Sequence, residues 1–229
     1  MREPRDFARD ASQFTIPDGS GDWFSGYAVF GLPFSSGNVL ALRCFAASSL
    51  GAAYTSVWHR DPKGRWTFHQ NVPPELSCPR YFGAAITQNT MEPIRIDWTD
   101  QRCFCVTVGA PGAIVWDIRL APTPATRMMN SAVNAIPASW WKKRSVIRTM
   151  ETAARWMLGA GEMKLAGHTP NGHVFTAMPR RIWSIAESRA TIRGVDAGKP
   201  APLPKQEMLA DLCIPQRGIF AIVTAVLEG

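Results

Sequence analysis

The run Ile94-Arg95-Ile96-Asp97-Trp98, then Cys103-Phe104-Cys105-Val106-Thr107-Val108, then Ile114-Val115-Trp116-Asp117-Ile118-Arg119-Leu120 decides the fold class. Each segment is short and rich in β-branched and aromatic residues, with the two-residue alternation of a pleated strand. Gly109-Ala110-Pro111-Gly112 fills one gap with turn residues. The segments therefore read as three consecutive antiparallel strands. With turns at 99–102 and 109–112, Trp98 pairs with Cys103 and Val108 with Ala113. One face then carries Ile96, Trp98, Cys105 and Trp116, a core face. The other carries Asp97, Phe104 and Asp117. Two carboxylates astride one strand stand about 10 Å apart, twice the inter-strand spacing. That separation suits an acid and a base on either side of a substrate. The plainer reading is a solvated face with cross-strand ion pairs.

Outward from this meander the same texture recurs at 24–31, 38–46, 53–60, 65–70 and 84–88, and again near 162–167, 173–178, 181–193 and 218–227. Asp61-Pro62-Lys63-Gly64 is a hairpin turn, since proline presets φ and glycine accepts a positive φ. Pairing Arg60 with Arg65 puts Val57, His59, Trp66 and Phe68 on one face. His59 beside Trp66 would be kept neutral by burial, the state a general base needs. A core histidine with one satisfied hydrogen bond is the alternative. Pro137-Ala138-Ser139 starts and Gly159-Ala160-Gly161 stops one long amphipathic helix, 139–158, packed outside the sheet. Residues 1–22 read as a loose polar arm and 23–229 as one domain, an α+β, β-rich fold whose antiparallel sheet curves or closes into a cone or barrel.

Composition narrows the function classes. At 229 residues, 46% apolar and 19% charged, the chain is too apolar for a disordered protein. No apolar run approaches the roughly 18–20 residues of a membrane span, and Met1 to Asp6 hold no signal-like apolar stretch. Five cysteines without a CxxC imply reduced thiols and a cytoplasmic setting. The +7 net charge is scattered, densest at Lys142-Lys143-Arg144, so a nucleic-acid partner is not expected. GxSxG, HExxH, Walker A and GxGxxG motifs are all missing from the sequence. Neither the cysteine spacings nor His168 and His173, flanking a turn, complete a metal site, and no cofactor is expected.

One segment carries a resemblance. Glu75-Leu76-Ser77-Cys78-Pro79-Arg80-Tyr81-Phe82-Gly83 resembles the active-site segment of acetoacetate decarboxylases, which places a glutamate, a proline, paired lysines and a glycine in that order. Met163-Lys164-Leu165 leading to Pro170-Asn171-Gly172, then Ala201-Pro202-Leu203 and Ala210-Asp211-Leu212-Cys213-Ile214-Pro215, are similar to further family segments in the same order. The resemblance implies a β-cone around a mostly apolar cavity; a lipocalin-like barrel would show the same strand pattern. The family's nucleophile is a lysine that forms a Schiff base with a ketone. Here Arg80 holds the matching position, and an arginine cannot serve as that amine.

What remains is a cavity in which Arg80 binds a carboxylate or enolate, Tyr81 moves a proton and Glu75 orients Arg80, or else a plain loop with Arg80 in a structural ion pair. The first expectation is a cofactor-independent lyase or isomerase acting on a partly apolar carbonyl or carboxylate compound, with Arg80, Tyr81, Glu75, His59, Asp97 and Asp117 as candidates. The alternative is a non-catalytic binder of a hydrophobic ligand or lipid. A third is an interaction protein that sets the basic helix on an acidic partner or membrane surface. The expected partner is a small-molecule ligand, and a homo-oligomer is compatible with the reading.

Overall fold

A computed structural model describes residues 2–137, 140–141 and 143–229. Two meanders carry most of the strands. The first comprises β1 (Asp22–Pro33), β2 (Val39–Ser48), β3 (Tyr54–Arg60) and β4 (Trp66–Gln70), with β5 (Gln88–Met91) added in parallel to β4. The second comprises β6 (Ile94–Trp98), β7 (Cys103–Val108) and β8 (Ile114–Ala121). Short β9 (Ala166–His168), long β10 (Val174–Ile192), β11 (Val195–Asp196), the small β12–β13 hairpin (Met208–Leu209 and Leu212–Cys213) and β14 (Ile219–Glu228) follow.

β14 and β10 lie side by side in the middle, giving the order β5-β4-β3-β2-β1-β14-β10-β8-β7-β6. A last strand at the centre of the sheet departs from the sequential order of a lipocalin-like barrel. The register shifts in β1 and β10, the latter beside Pro179 and Ile185, bend those strands. The sheet curls into a half-barrel in which β3 approaches β6. Tyr27, Leu42 and Val57 then meet Phe104, Trp116 and Phe220 in one buried layer. Gly26 permits the curl: a Cβ there would lie 2.0 Å from the Cys44 carbonyl oxygen.

The other face of β1–β4, β14 and β10 forms a second buried layer, Phe24, Trp58, Phe68 and Phe82 with Met129 and Ile147. Helices supply part of its cover: α2 (Pro79–Phe82), α3 (Pro124–Ala135) and α4 (Arg144–Leu158). In place of the one long helix expected at 139–158 stands the shorter α4, preceded by a further helix, α3, that the sequence reading did not expect. Thr123 caps α3 with Thr126 and Pro124 takes its first turn, while α4 starts at Arg144 and ends at Gly159 with a left-handed φ of 58°. The expected start at Ala138-Ser139, and Lys142, lie outside the described residues. No helix among the described residues is long and apolar enough to cross a membrane. At the N-terminus α1 (Pro4–Arg9) packs Phe7 and Ala8 against the Trp116 layer and Arg102 pairs with Glu3, so the polar arm is held on the sheet.

Most strand positions follow the sequence reading. The segment expected at 84–88, however, begins as a short 3-10 turn with β5 starting at Gln88, and that expected near 162–167 is a strand only from Ala166. Those expected at 173–178 and 181–193 are one strand, β10. Three hairpin registers shift by one residue. Arg60 pairs with Trp66, Trp98 with Phe104 and Val108 with Ile114. Each connection is one residue longer than expected. Asp61 closes the first, its backbone N–H donating to the Arg65 carbonyl, with Gly64 at φ 86°. Asp100 closes the second by accepting from the backbone N–H groups of Arg102 and Cys103. A one-residue slip exchanges faces. Phe104, Val106 and Val108 are therefore core, and Cys105 turns outward between Asp97 and Asp117.

Candidate functional site

The alternation along β2 turns Val39, Ala41, Arg43 and Phe45 toward the helix-covered face. Arg43 is 6% exposed. Its Nη1 donates to the Val29 carbonyl at 2.7 Å and the Leu42 carbonyl at 2.9 Å, and Nη2 to that of Phe30 at 3.4 Å. The Val29 and Phe30 carbonyls stand where the β1–β2 ladder shifts register, between Val29 and Leu32. The guanidinium carbon stands 4.5 Å from the Trp58 ring centroid and 5.4 Å from that of Phe30. Among the described residues no carboxylate lies within ion-pair distance of it. Burial draws its pKa down to about 10, so it stays a cation at neutral pH.

Arg43 borders a cavity of about 80 Å³ lined also by Phe24, Tyr54, Trp58, Cys78 and Phe175. That is several times the volume one water needs, and aromatic side chains dominate its wall. The Tyr54 hydroxyl and the Cys78 sulfur lie 3.3 Å apart, and burial pushes both groups above their ordinary pKa, so each keeps its proton. Register places Arg43, Ser56 and Gln70 directly opposite one another on three adjacent strands. Ser56 Oγ and both amide atoms of Gln70 are fully buried without a hydrogen-bond partner in the protein. The cation thus heads a polar row in an otherwise apolar layer.

The segment singled out in the sequence covers this cavity. Cys78, just before α2, and Tyr81 and Phe82 on it turn inward and line the cavity, while Glu75 and Arg80 face solvent. Tyr81 donates its hydroxyl to Asp22 at 2.7 Å, and Arg80 pairs with the same carboxylate at 3.5 Å instead of with Glu75. Burial, then the Asp22 hydrogen bond, raise the Tyr81 pKa far above the ordinary phenol value. The turn at Pro170-Asn171-Gly172 clamps the same helix. Asn171 donates from its side-chain amide to the Arg80 carbonyl at 2.9 Å and from its backbone to the Tyr81 carbonyl at 3.1 Å, and accepts from the Ala84 N–H at 2.8 Å. Two separated motif segments therefore meet at one lid.

Of the six residues expected in a site, Tyr81 borders this cavity. His59 lies on the opposite face of the sheet from Trp66, because of the register slip. Its Nε2 is 2.8 Å from Asn38 Oδ1, and burial, then the neighbouring His69, lower its pKa to about 4. His69 contacts Thr90 and Glu92 there. Asp97 and Asp117 are exposed on the outer side of the second meander. Lys164 is held by Asp211 at 2.7 Å, which also accepts from the His168 backbone. No group of three or more His, Cys, Asp or Glu side chains among the described residues is arranged to hold a metal. Sequence reasoning passed over Arg43, although a lone arginine inside Val39-Leu40-Ala41-Leu42-Arg43-Cys44-Phe45 is a legible signal.

No family model matches the chain, and no curated protein matches it. Among solved structures it is similar to the acetoacetate decarboxylase of Legionella pneumophila subsp. pneumophila str. Philadelphia 1, at a TM-score of 0.38 and 8% identity, over 95% of this chain and 92% of that one.

Proposed function

We propose that this protein binds a small amphipathic anion, with the apolar body among the cavity aromatics and a carboxylate or enolate on Arg43. The observation that carries this reading is a buried guanidinium with no carboxylate beside it. A buried cation is stable only with compensating partners, and here three carbonyls and two aromatic faces compensate it partly. A ligand oxygen would complete the set with a charge-assisted hydrogen bond. An aromatic wall with one polar anchor is the make-up of a binding pocket. His59, Asp97 and Asp117, at a distance from it, favour ligand capture over lyase or isomerase chemistry. Titration calorimetry with hexanoate and hexanol tests the reading: hexanoate binds roughly ten-fold or more tightly than hexanol, and equal affinities would refute it.

Catalysis on the same ligand is a second reading, favoured by the Tyr54 and Cys78 pair beside Arg43. Both are kept protonated and either can donate to an enolate held by the arginine. A β-keto acid would leave that enolate on the arginine as it loses carbon dioxide, and Tyr54→Phe together with Cys78→Ala would then abolish the decarboxylation while leaving binding intact. An absence of turnover in the unsubstituted protein leaves ligand capture alone.

A further inference from the structure

The segment from Pro122 to Leu158, which holds α3 and α4, contains six basic residues and a single carboxylate, Glu151. Glu151 is turned inward, its Oε1 accepting from the Leu165 backbone N–H at 2.7 Å. Ile147, Met150 and Ala154 fasten α4 to the core, so the outward side of the helix carries Arg144, Arg148, Arg155 and Trp156. None of these arginines, nor Arg127 of α3 or Lys143, makes an ion pair among the described residues. Arg217 lies beside Gly159 at the end of α4 and adds a further positive charge.

Large apolar side chains are interleaved with these charges. Trp156 is 79% exposed, Met128 62% and Trp140 47%, and the Lys143 ammonium stands 4.7 Å from the centroid of the Trp140 ring. An exposed indole set among unpaired cations is poorly placed in water. At the headgroup level of an anionic bilayer, however, the ring lies at the apolar boundary while lysine and arginine meet lipid phosphates and carboxylates. The helix is amphipathic, yet its apolar stripe is already spent on the protein core. Contact with a bilayer would therefore use the polar side with its projecting rings and would not bury the helix itself.

We infer that the outward face of α3 and α4 docks on bilayer surfaces containing anionic lipid. A single-stranded nucleic acid would also meet the charges, but Met128 has no aromatic ring to offer a base, and the exposed aromatics sit on helices instead of on a sheet platform. The proposal is independent of the cavity and stands or falls separately from it.

Co-sedimentation of the full chain with phosphatidylcholine vesicles, with and without phosphatidylserine, tests it. The protein pellets with the phosphatidylserine vesicles, stays in the supernatant with phosphatidylcholine alone, and is released as salt is raised. Arg148→Glu with Arg155→Glu lowers vesicle binding by roughly ten-fold or more, and Trp156→Ala weakens it with the charges intact, both without a change in unfolding midpoint. Failure to pellet with phosphatidylserine vesicles would overturn the inference. So would unaltered binding by both variants, or a single-stranded oligonucleotide that binds more tightly than the vesicles and displaces them.

Discussion

The Arg43 guanidinium lies on the face of Trp58, its central carbon 4.5 Å from the ring centroid, with the Val29 carbonyl 2.7 Å from Nη1 on its other flank. This one side chain joins the fold to the site. It donates to carbonyls at the bend in β1, and it sets a positive charge at the edge of an aromatic cavity.

Replacing it separates the two roles. In Arg43→Met the volume is kept but the Val29 and Phe30 carbonyls lose their donors. Stability should fall by about 1–3 kcal/mol, the cost of buried acceptors left unmade, partly offset because a buried cation is removed. Denaturant unfolding measures the balance, and a loss well beyond that range would mean that the bend in β1 itself collapses.

Gln70→Leu should act in the opposite direction. Its amide atoms are buried and find no partner in the protein, so an apolar replacement of similar length should raise the thermal midpoint or leave it unchanged. Affinity for a ligand that reaches along the row from Arg43 should drop at the same time. A clear fall in midpoint would show that Gln70 is already satisfied.

The lid offers a paired test. Tyr81→Phe removes a partly buried hydrogen bond to Asp22 and should cost about 1 kcal/mol while loosening the cover of the cavity. Arg80→Ala removes an exposed ion pair to the same carboxylate and should cost under about 1 kcal/mol with ligand affinity unchanged. Equal effects of the two on affinity would return Arg80 to the site.

His59 sets a pH dependence. Its folded pKa of about 4 lies below the ordinary value of 6.5, because burial and then His69 oppose its charging. The unfolded chain therefore binds the proton more readily. Stability from this group is complete above the unfolded value and is lost as pH falls from about 6.5 to about 4. The loss is on the order of 3 kcal/mol at most. His59→Gln should flatten that limb of the stability curve, and an unchanged limb would place the acid sensitivity elsewhere.

No Schiff base is expected on Lys164. Its ammonium pairs with Asp211, whose hydrogen bond raises the lysine pKa and keeps the nitrogen protonated. Borohydride treatment in the presence of β-keto acids should leave the protein mass unchanged. A mass gain mapped to Lys164 would restore decarboxylase-type chemistry.

Strand content and the positions of most strands were legible because alternation and turn residues are local signals. Register was not. At Asp61, Thr99 and Gly109 a connection one residue longer than expected put Trp58 on one face with Phe68 and brought Phe104 into the core. A period of two makes one residue decisive. The helix α3 was missed because Asn130, Ser131 and Asn134 blur its pattern, although Thr123-Pro124 announces its start. The lid segment was found from its motif, while the cation beneath it lies 38 residues before Tyr81, on a strand that reads as plain core. Only the sheet brings Arg43 and Tyr81 to one cavity.

The most direct measurement is the affinity of hexanoate and hexanol for the unsubstituted protein and for Arg43→Met, by titration calorimetry near neutral pH. If Arg43 holds the anionic end of the ligand, the unsubstituted protein prefers hexanoate by roughly ten-fold or more and the variant shows no preference. Retention of the full hexanoate preference by Arg43→Met would contradict the assignment.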